Sequence, residues 1–294
     1  MAMFWRRFWP EIFVCGVIIA ASFIYYKNPD RQTAILAYHP PQFLEYARFI
    51  SEAITQARTA EKVGLKRVLG GVTSHHIPTT APALADFYWR LKNTRNVKTF
   101  IIIGPDHIDA GKEDIVMSQS QFANAFGVLQ PNLPLIKKLV DSGLASVDEK
   151  PFDREHSISS QLFFIKKIFP DATIVPIIFR SSGTLERARQ FGRLLGSFLN
   201  DEVFIVASVD FSHYFSEAQA RPIDILSMNV LRSLDAQALR LVDADSKQSL
   251  AALVAALETA GANQYAQIKT FNTADFNGDR DYTTGYVFGF WGTQ

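Results

Sequence analysis

The sequence predicts an α/β protein: a single domain with a mostly parallel central sheet flanked by helices, preceded by an N-terminal transmembrane helix. Three observations carry this. Continuous apolar, β-branched runs such as Thr99–Ile103 alternate with segments of helical periodicity, the pattern of strands covered on both faces. No repeat, low-complexity tract or flexible linker follows residue 40. Residues 8–26 (FWPEIFVCGVIIAASFIYY) hold a single charge, Glu11.

As a helix, that stretch would span about 28 Å, against a hydrocarbon thickness of roughly 30 Å. Arg6 and Arg7 precede it, Lys27 and Arg31 follow, and Trp5, Trp9, Tyr25 and Tyr26 flank it as an interfacial belt would. We therefore expect residues 1–34 to form a signal anchor, with membrane contact through residues 8–26. With a cytoplasmic N-terminus, the following domain lies outside the cytoplasm. A cleaved signal peptide, with Ala20-Ala21-Ser22 as a poor cleavage site, and a buried N-terminal helix are the alternatives.

Residues 35–65 are expected to connect anchor and domain. After Pro40-Pro41, the spacing of Phe43, Tyr46, Ala47, Ile50, Ile54 and Ala57 predicts an amphipathic helix reaching about Val63. From residue 66 to 294 the main domain follows. Strands are predicted over Arg67–Thr73, Thr99–Ile103, Ala172–Phe179, Glu202–Val209, Gln264–Phe271 and Thr283–Trp291. Helices are predicted over Thr80–Leu91, Pro131–Val140, Ser157–Phe169, Thr184–Leu199, Asp224–Leu234 and Ser246–Ala260.

A net charge of +1 gives no argument for nucleic acid as a partner. The one cysteine, Cys15, lies in the N-terminal apolar stretch, so thiolate chemistry is absent from the domain. A metal would be held by His, Asp, Glu or water, which favours Fe(II), Mn or Zn.

Five of the six histidines fall at element boundaries. His75 and His76 close the first main strand, His107 the second in Gly104-Pro105-Asp106-His107, and His213 follows the fourth in Asp210-Phe211-Ser212-His213. His156 opens a helix beside Glu155. The carboxyl ends of strands in an open α/β sheet gather ligands, so these residues can share one cleft. Adjacent residues of extended chain point to opposite sides, so at most one of His75 and His76 is expected in a given site. Asp210, three residues before His213, could orient that imidazole as a general base, or make only a local capping contact. Glu155 could act only as a helix-start carboxylate. Asp275, in the acidic segment 272–281, reads as part of a polar turn unless the chain returns it to the cleft.

The ordered segments GGVTSHH, IIIGPDH, EHSISSQLFFIKKIFPDATIVPII, VASVDFSHY and NTADFNGDRDYTTGYVFG resemble the Memo-like family, also known as AmmeMemoRadiSam system protein B, over roughly residues 66–293. The resemblance implies the fold of the LigB-type extradiol non-haem iron dioxygenases. It also implies that His75 and His107 are a metal-binding pair, with His156, Asp210 and His213 as further cleft residues. Some members supply a third ligand from a cysteine near the C-terminal strand. Here Asp275 is its nearest counterpart, and two histidines with one carboxylate would suit Fe(II). His76 stands where most members have a small residue.

The expected function is a His-rich cleft binding Fe(II) or copper for oxidative chemistry on a small aromatic or enolic substrate. In it His75, His107 and Asp275 are metal ligands, and His156, Asp210 and His213 are catalytic. The alternative is a non-catalytic module binding a peptide or protein in the same cleft. A metal-dependent hydrolase ranks last, because only one carboxylate ligand is visible. The resemblance also implies AMMECR1-like and radical-SAM partner proteins.

Overall fold

The computed structural model describes residues 38–294. The apolar segment 8–26 lies outside the described residues, among which no helix is long and apolar enough to cross a membrane. The chain enters through a two-residue strand, β1 (Tyr38–His39), and the amphipathic segment then forms α1 (Ala47–Gln56). This helix ends earlier than its periodicity suggests, with one 3-10 turn over Ala57–Thr59. Ile50, Ala53 and Ile54 point into the core, and the Trp89 indole donates to the Ile54 carbonyl at 2.7 Å. The helix is thus part of the domain.

Next come β2 (Arg67–Thr73), α2 (Ala81–Thr94) and β3 (Thr99–Pro105). Three short strands, β4 (Ile115–Met117), β5 (Gln121–Asn124) and β6 (Gly127–Pro131), precede α3 (Leu133–Asp141) and β7 (Ser146–Val147). Then follow α4 (His156–Ile168), β8 (Thr173–Phe179), α5 (Leu185–Gly196), β9 (Val203–Ser208) and β10 (His213–Phe215). The chain closes with α6 (Glu217–Arg232), α7 (Lys247–Thr259), β11 (Gln264–Asn272), α8 (Ala274–Asn277) and β12 (Thr283–Thr293).

The sheet order is β1-β5-β6-β8-β3-β9-β2-β12-β10, with β11 added to β12, and β4 linking β8 to β7. The central strands β8, β3, β9 and β2 are all parallel. Antiparallel pairs occur towards the edges, where β12 runs against β2 and β11, β4 against β8, and β5 against β6. The sheet is therefore mixed around a parallel centre.

Each central strand feeds two cores, because successive side chains face opposite ways. Phe100 and Ile102 join Ile174, Phe204 and Val206 under α1, α2 and α4. Ile101 and Ile103 join Val175, Ile177 and Ile205 under α3, α5 and α7. These side chains are fully buried, each contributing about 1.5–3 kcal/mol relative to exposure. Between α5 and α7 the backbones touch: a Cβ at Gly192 would stand 2.3 Å from the Ala252 carbonyl oxygen, and one at Gly196 2.5 Å from that of Ala256.

The sixth histidine, His39, clasps the entering segment to the body of the domain. Its Nδ1 lies 2.8 Å from Asp153 Oδ1, and its Nε2 lies 2.8 Å from Glu149 Oε2 and 3.0 Å from Ser118 Oγ. Burial pushes this imidazole down, but the two carboxylates outweigh it and hold it above its ordinary value. Beyond the clasp, the Gln42 amide reaches the carbonyls of Asp153 and Glu155.

Candidate metal centre

Because β2, β3 and β9 run in parallel, their carboxyl ends emerge along one sheet edge. His75, two residues past β2, is buried there. Its Nδ1 lies 3.2 Å from the Ser208 carbonyl at the end of β9. A carbonyl only accepts, so Nδ1–H donates and the Nε2 position turns into the cleft. There Nε2 meets Asp245 Oδ2 at 3.1 Å and Asp210 Oδ2 at 3.7 Å. Burial pushes the His75 imidazole down, but Asp210 and Asp245 more than offset this and raise it to about 9. The arrangement demands a positive charge at Nε2, which a proton or a metal ion can supply.

His107 reaches the same point from β3. Gly104 lets this strand end run against the first turn of α4, since a Cβ there would lie 2.5 Å from Ser157 Oγ. Glu155 is the N-cap of α4, its Oε1 accepting the Ser157 amide at 2.7 Å. The same carboxylate meets His107 Nδ1 at 2.8 Å and accepts the His107 amide at 2.9 Å. With Nδ1 committed, His107 Nε2 faces Asp245 Oδ2 at 3.9 Å. Burial alone would raise the Glu155 carboxyl, but its bonds with His107 hold it at about 2.

His156, the first residue of α4, stacks on His107 with ring centroids 4.0 Å apart and meets His75 edge-on at 5.1 Å. Burial first, then the neighbouring His75 and His107, pushes it down to about 4, so it is neutral near pH 7. Two overlapping groups each bring their ligand atoms within 4.8 Å of one another: His75, His107 and His156, and His75, Asp210 and Asp245. Asp245 Oδ1 is buried and lacks a hydrogen-bond partner. A carboxylate whose Oδ2 faces two oriented imidazoles while its Oδ1 lacks a partner fits a divalent cation with nitrogen and oxygen preference.

These groups open onto a cleft of about 500 Å³, whose wall includes Phe43, His76, Ile77, His213, Tyr214 and Thr284. Among known families, the model described as Memo-like protein matches residues 44–289. The chain belongs to the Memo-like family. A MEMO1 family protein from Pyrobaculum aerophilum is 26% identical over 231 residues, covering 74% of this chain and 82% of the relative. One from Nitrosopumilus maritimus is 25% identical over 228 residues, with the same coverages. A crystal structure of an uncharacterized Escherichia coli protein superposes with a TM-score of 0.49 at 12% identity, covering 76% of this chain and 99% of that one.

Within this Memo-like domain, four of the expected site residues come together: His75, His107, His156 and Asp210. His213 joins them as part of the cleft wall, but Asp210 does not orient it. The Asp210 carboxylate turns to His75 instead, accepting its amide at 3.3 Å. Asp275 is not brought to the histidines. Its Oδ1 is bound by Arg221 at 2.7 Å and its Oδ2 accepts the Asn272 amide at 2.9 Å, so both oxygens serve the turn carrying α8. The carboxylate that meets His75 and His107 is Asp245, which sequence reasoning missed. It enters from the loop before α7, held by a two-way exchange in which the Asp245 amide donates to the Asp210 carbonyl and the Asp210 amide to Asp245 Oδ2. Its only sequence signal is an Asp beside Ser246, the N-cap of α7.

Proposed function

We propose that this Memo-like domain binds one divalent metal ion, Fe(II) or copper, through His75, His107 and Asp245, for oxidative chemistry on a small phenolic or enolic substrate. The observation that carries this reading is the convergence of two imidazole Nε2 positions, each fixed by a partner on Nδ1, upon the Asp245 carboxylate, whose other oxygen is buried and unsatisfied. Partners of this kind set the tautomer and orientation of ligating histidines. Two imidazoles and one carboxylate form the donor set of non-haem Fe(II) sites with open positions. The bound ion would supply activation of dioxygen and polarisation of a substrate oxygen.

The chain's own residues do the rest. Neutral His156 offers a hydrogen bond to a substrate oxygen beside the ligands. A ring nitrogen of His213, on the cleft wall, accepts the proton of the substrate hydroxyl. Phe43 and Ile77 cover the cleft with apolar surface and limit the access of water. Anaerobic reconstitution of the full chain, followed by metal analysis and X-ray absorption at the metal edge, tests the reading. One equivalent of metal with nitrogen and oxygen ligands is expected, falling at least tenfold in occupancy in His75→Ala and Asp245→Ala. Occupancy unchanged in both variants would overturn it.

We further propose that residues 8–26 anchor the domain to a membrane from its outer side. The length of this apolar run and its aromatic flanks support the reading. Extraction of the full chain by alkaline carbonate would refute it.

A further inference from the structure

His76 is adjacent to a proposed ligand, yet it belongs to neither metal-capable group. A regular extended strand would turn it away from the cleft. The chain does not stay extended: the Ile77 amide bonds back to the His75 carbonyl at 2.9 Å, and the Thr80 amide to the His76 carbonyl at 3.0 Å. This turn brings His76 onto the same cleft wall as His213 and Thr284.

The ring is held at one nitrogen only. Tyr286, buried on β12, bonds to His76 Nδ1 through its hydroxyl, with the two rings edge-to-face at 5.6 Å. Burial pushes this phenol up, so it keeps its proton and acts as the donor. A neutral imidazole accepting at Nδ1 carries its hydrogen on Nε2. That N–H has no protein partner among the described residues. Among the described residues, those lining the cleft include no lysine or arginine, so the side-chain donors it offers to an anionic group are imidazole N–H and hydroxyl groups.

We infer that His76, set by Tyr286, is a substrate-binding residue whose Nε2–H takes an acceptor oxygen of a substrate held in the cleft. The substrate class that fits is a small ring compound that carries a carboxylate as well as a hydroxyl. This rests on the reading of the cleft as a metal-dependent substrate site, and it adds the second polar contact that such a substrate would need.

Isothermal titration of the reconstituted full chain with 4-hydroxybenzoate and with phenol tests it, with metal content measured in every sample. The wild-type protein is expected to bind 4-hydroxybenzoate about tenfold or more tightly than phenol, the range of one hydrogen bond to a charged acceptor. His76→Ala should abolish that preference while metal content and phenol affinity stay unchanged. His76→Gln, which keeps an N–H near the Nε2 position, should restore most of it, and Tyr286→Phe should weaken it. Equal affinities for the two probes in the wild-type protein, or a preference that survives His76→Ala, would overturn the inference with the metal reading intact. Loss of metal with the preference retained would overturn the metal reading alone.

Discussion

Replacing Glu155 by glutamine should weaken metal binding without touching a proposed ligand. The Glu155 carboxylate is buried and serves three donors: the His107 imidazole at 2.8 Å, the His107 amide at 2.9 Å and the Ser157 amide at 2.7 Å. A glutamine of the same shape has one oxygen, so its NH2 group must face at least one of these donors. Leaving a buried donor unsatisfied costs about 1–3 kcal/mol, and exchanging a charge-assisted bond for a neutral one adds about 1 kcal/mol. Destabilisation of about 2–4 kcal/mol follows. For ligation, the larger effect is that His107 loses the partner fixing its Nδ1–H. Changes to such partners typically lower metal affinity about 10–100-fold. Competition with a chelator of known affinity measures the second effect, and thermal unfolding of the metal-free protein the first. Wild-type metal affinity in Glu155→Gln and also in Glu155→Ala would refute the claim that Glu155 orients His107.

Three further outcomes follow from the geometry. His39 is held above its ordinary value when folded, so its contribution to stability is fully present below about pH 6.5 and is lost as pH rises through the folded-state value; the difference in melting temperature between wild type and His39→Asn should therefore shrink from pH 6 to pH 9. Gly192→Ala should destabilise by about 1–3 kcal/mol or more in chemical unfolding, because the added methyl meets the Ala252 backbone at 2.3 Å, where no side-chain rotation relieves it. Asp275→Ala should leave metal affinity within about twofold of wild type in the chelator assay and cost at most about 1 kcal/mol of stability, since its partner Arg221 is a largely exposed ion pair.

Most of the strands that the sequence marks clearly are buried on both faces. Arg67–Thr73 is β2 without adjustment, and β8, β9 and β12 differ from expectation by one or two residues at an end. Such strands are apolar along most of their length, which is a strong signal. The strands between residues 115 and 131 are three to five residues long, and parts of them are exposed, so their composition does not stand out. Helix α6 begins at Glu217, not near Asp224, because Ser216 and Gln219 form a capping box that outweighs Pro222 inside the helix. For the site, histidines that terminate strands were legible because parallel topology alone brings strand ends together. Asp245 was not, since it arrives on a loop 35 residues after Asp210. Nor was the partner of Asp210, because three-residue spacing suggests His213 while the turn after β9 directs the carboxylate to His75.

The segment from Tyr38 to Phe43 also has a mechanical reading. Pulling on the chain ahead of Tyr38 loads the two β1–β5 register pairs and the His39 clasp, then the Gln42 contacts, before any force reaches β2. Phe43, the next link, is part of the cleft wall, and its backbone sits in the left-handed region at φ 55°. The cleft wall at Phe43 is therefore the first part of the proposed metal centre to feel tension from the N-terminus, while the ligand histidines are held at the sheet edge.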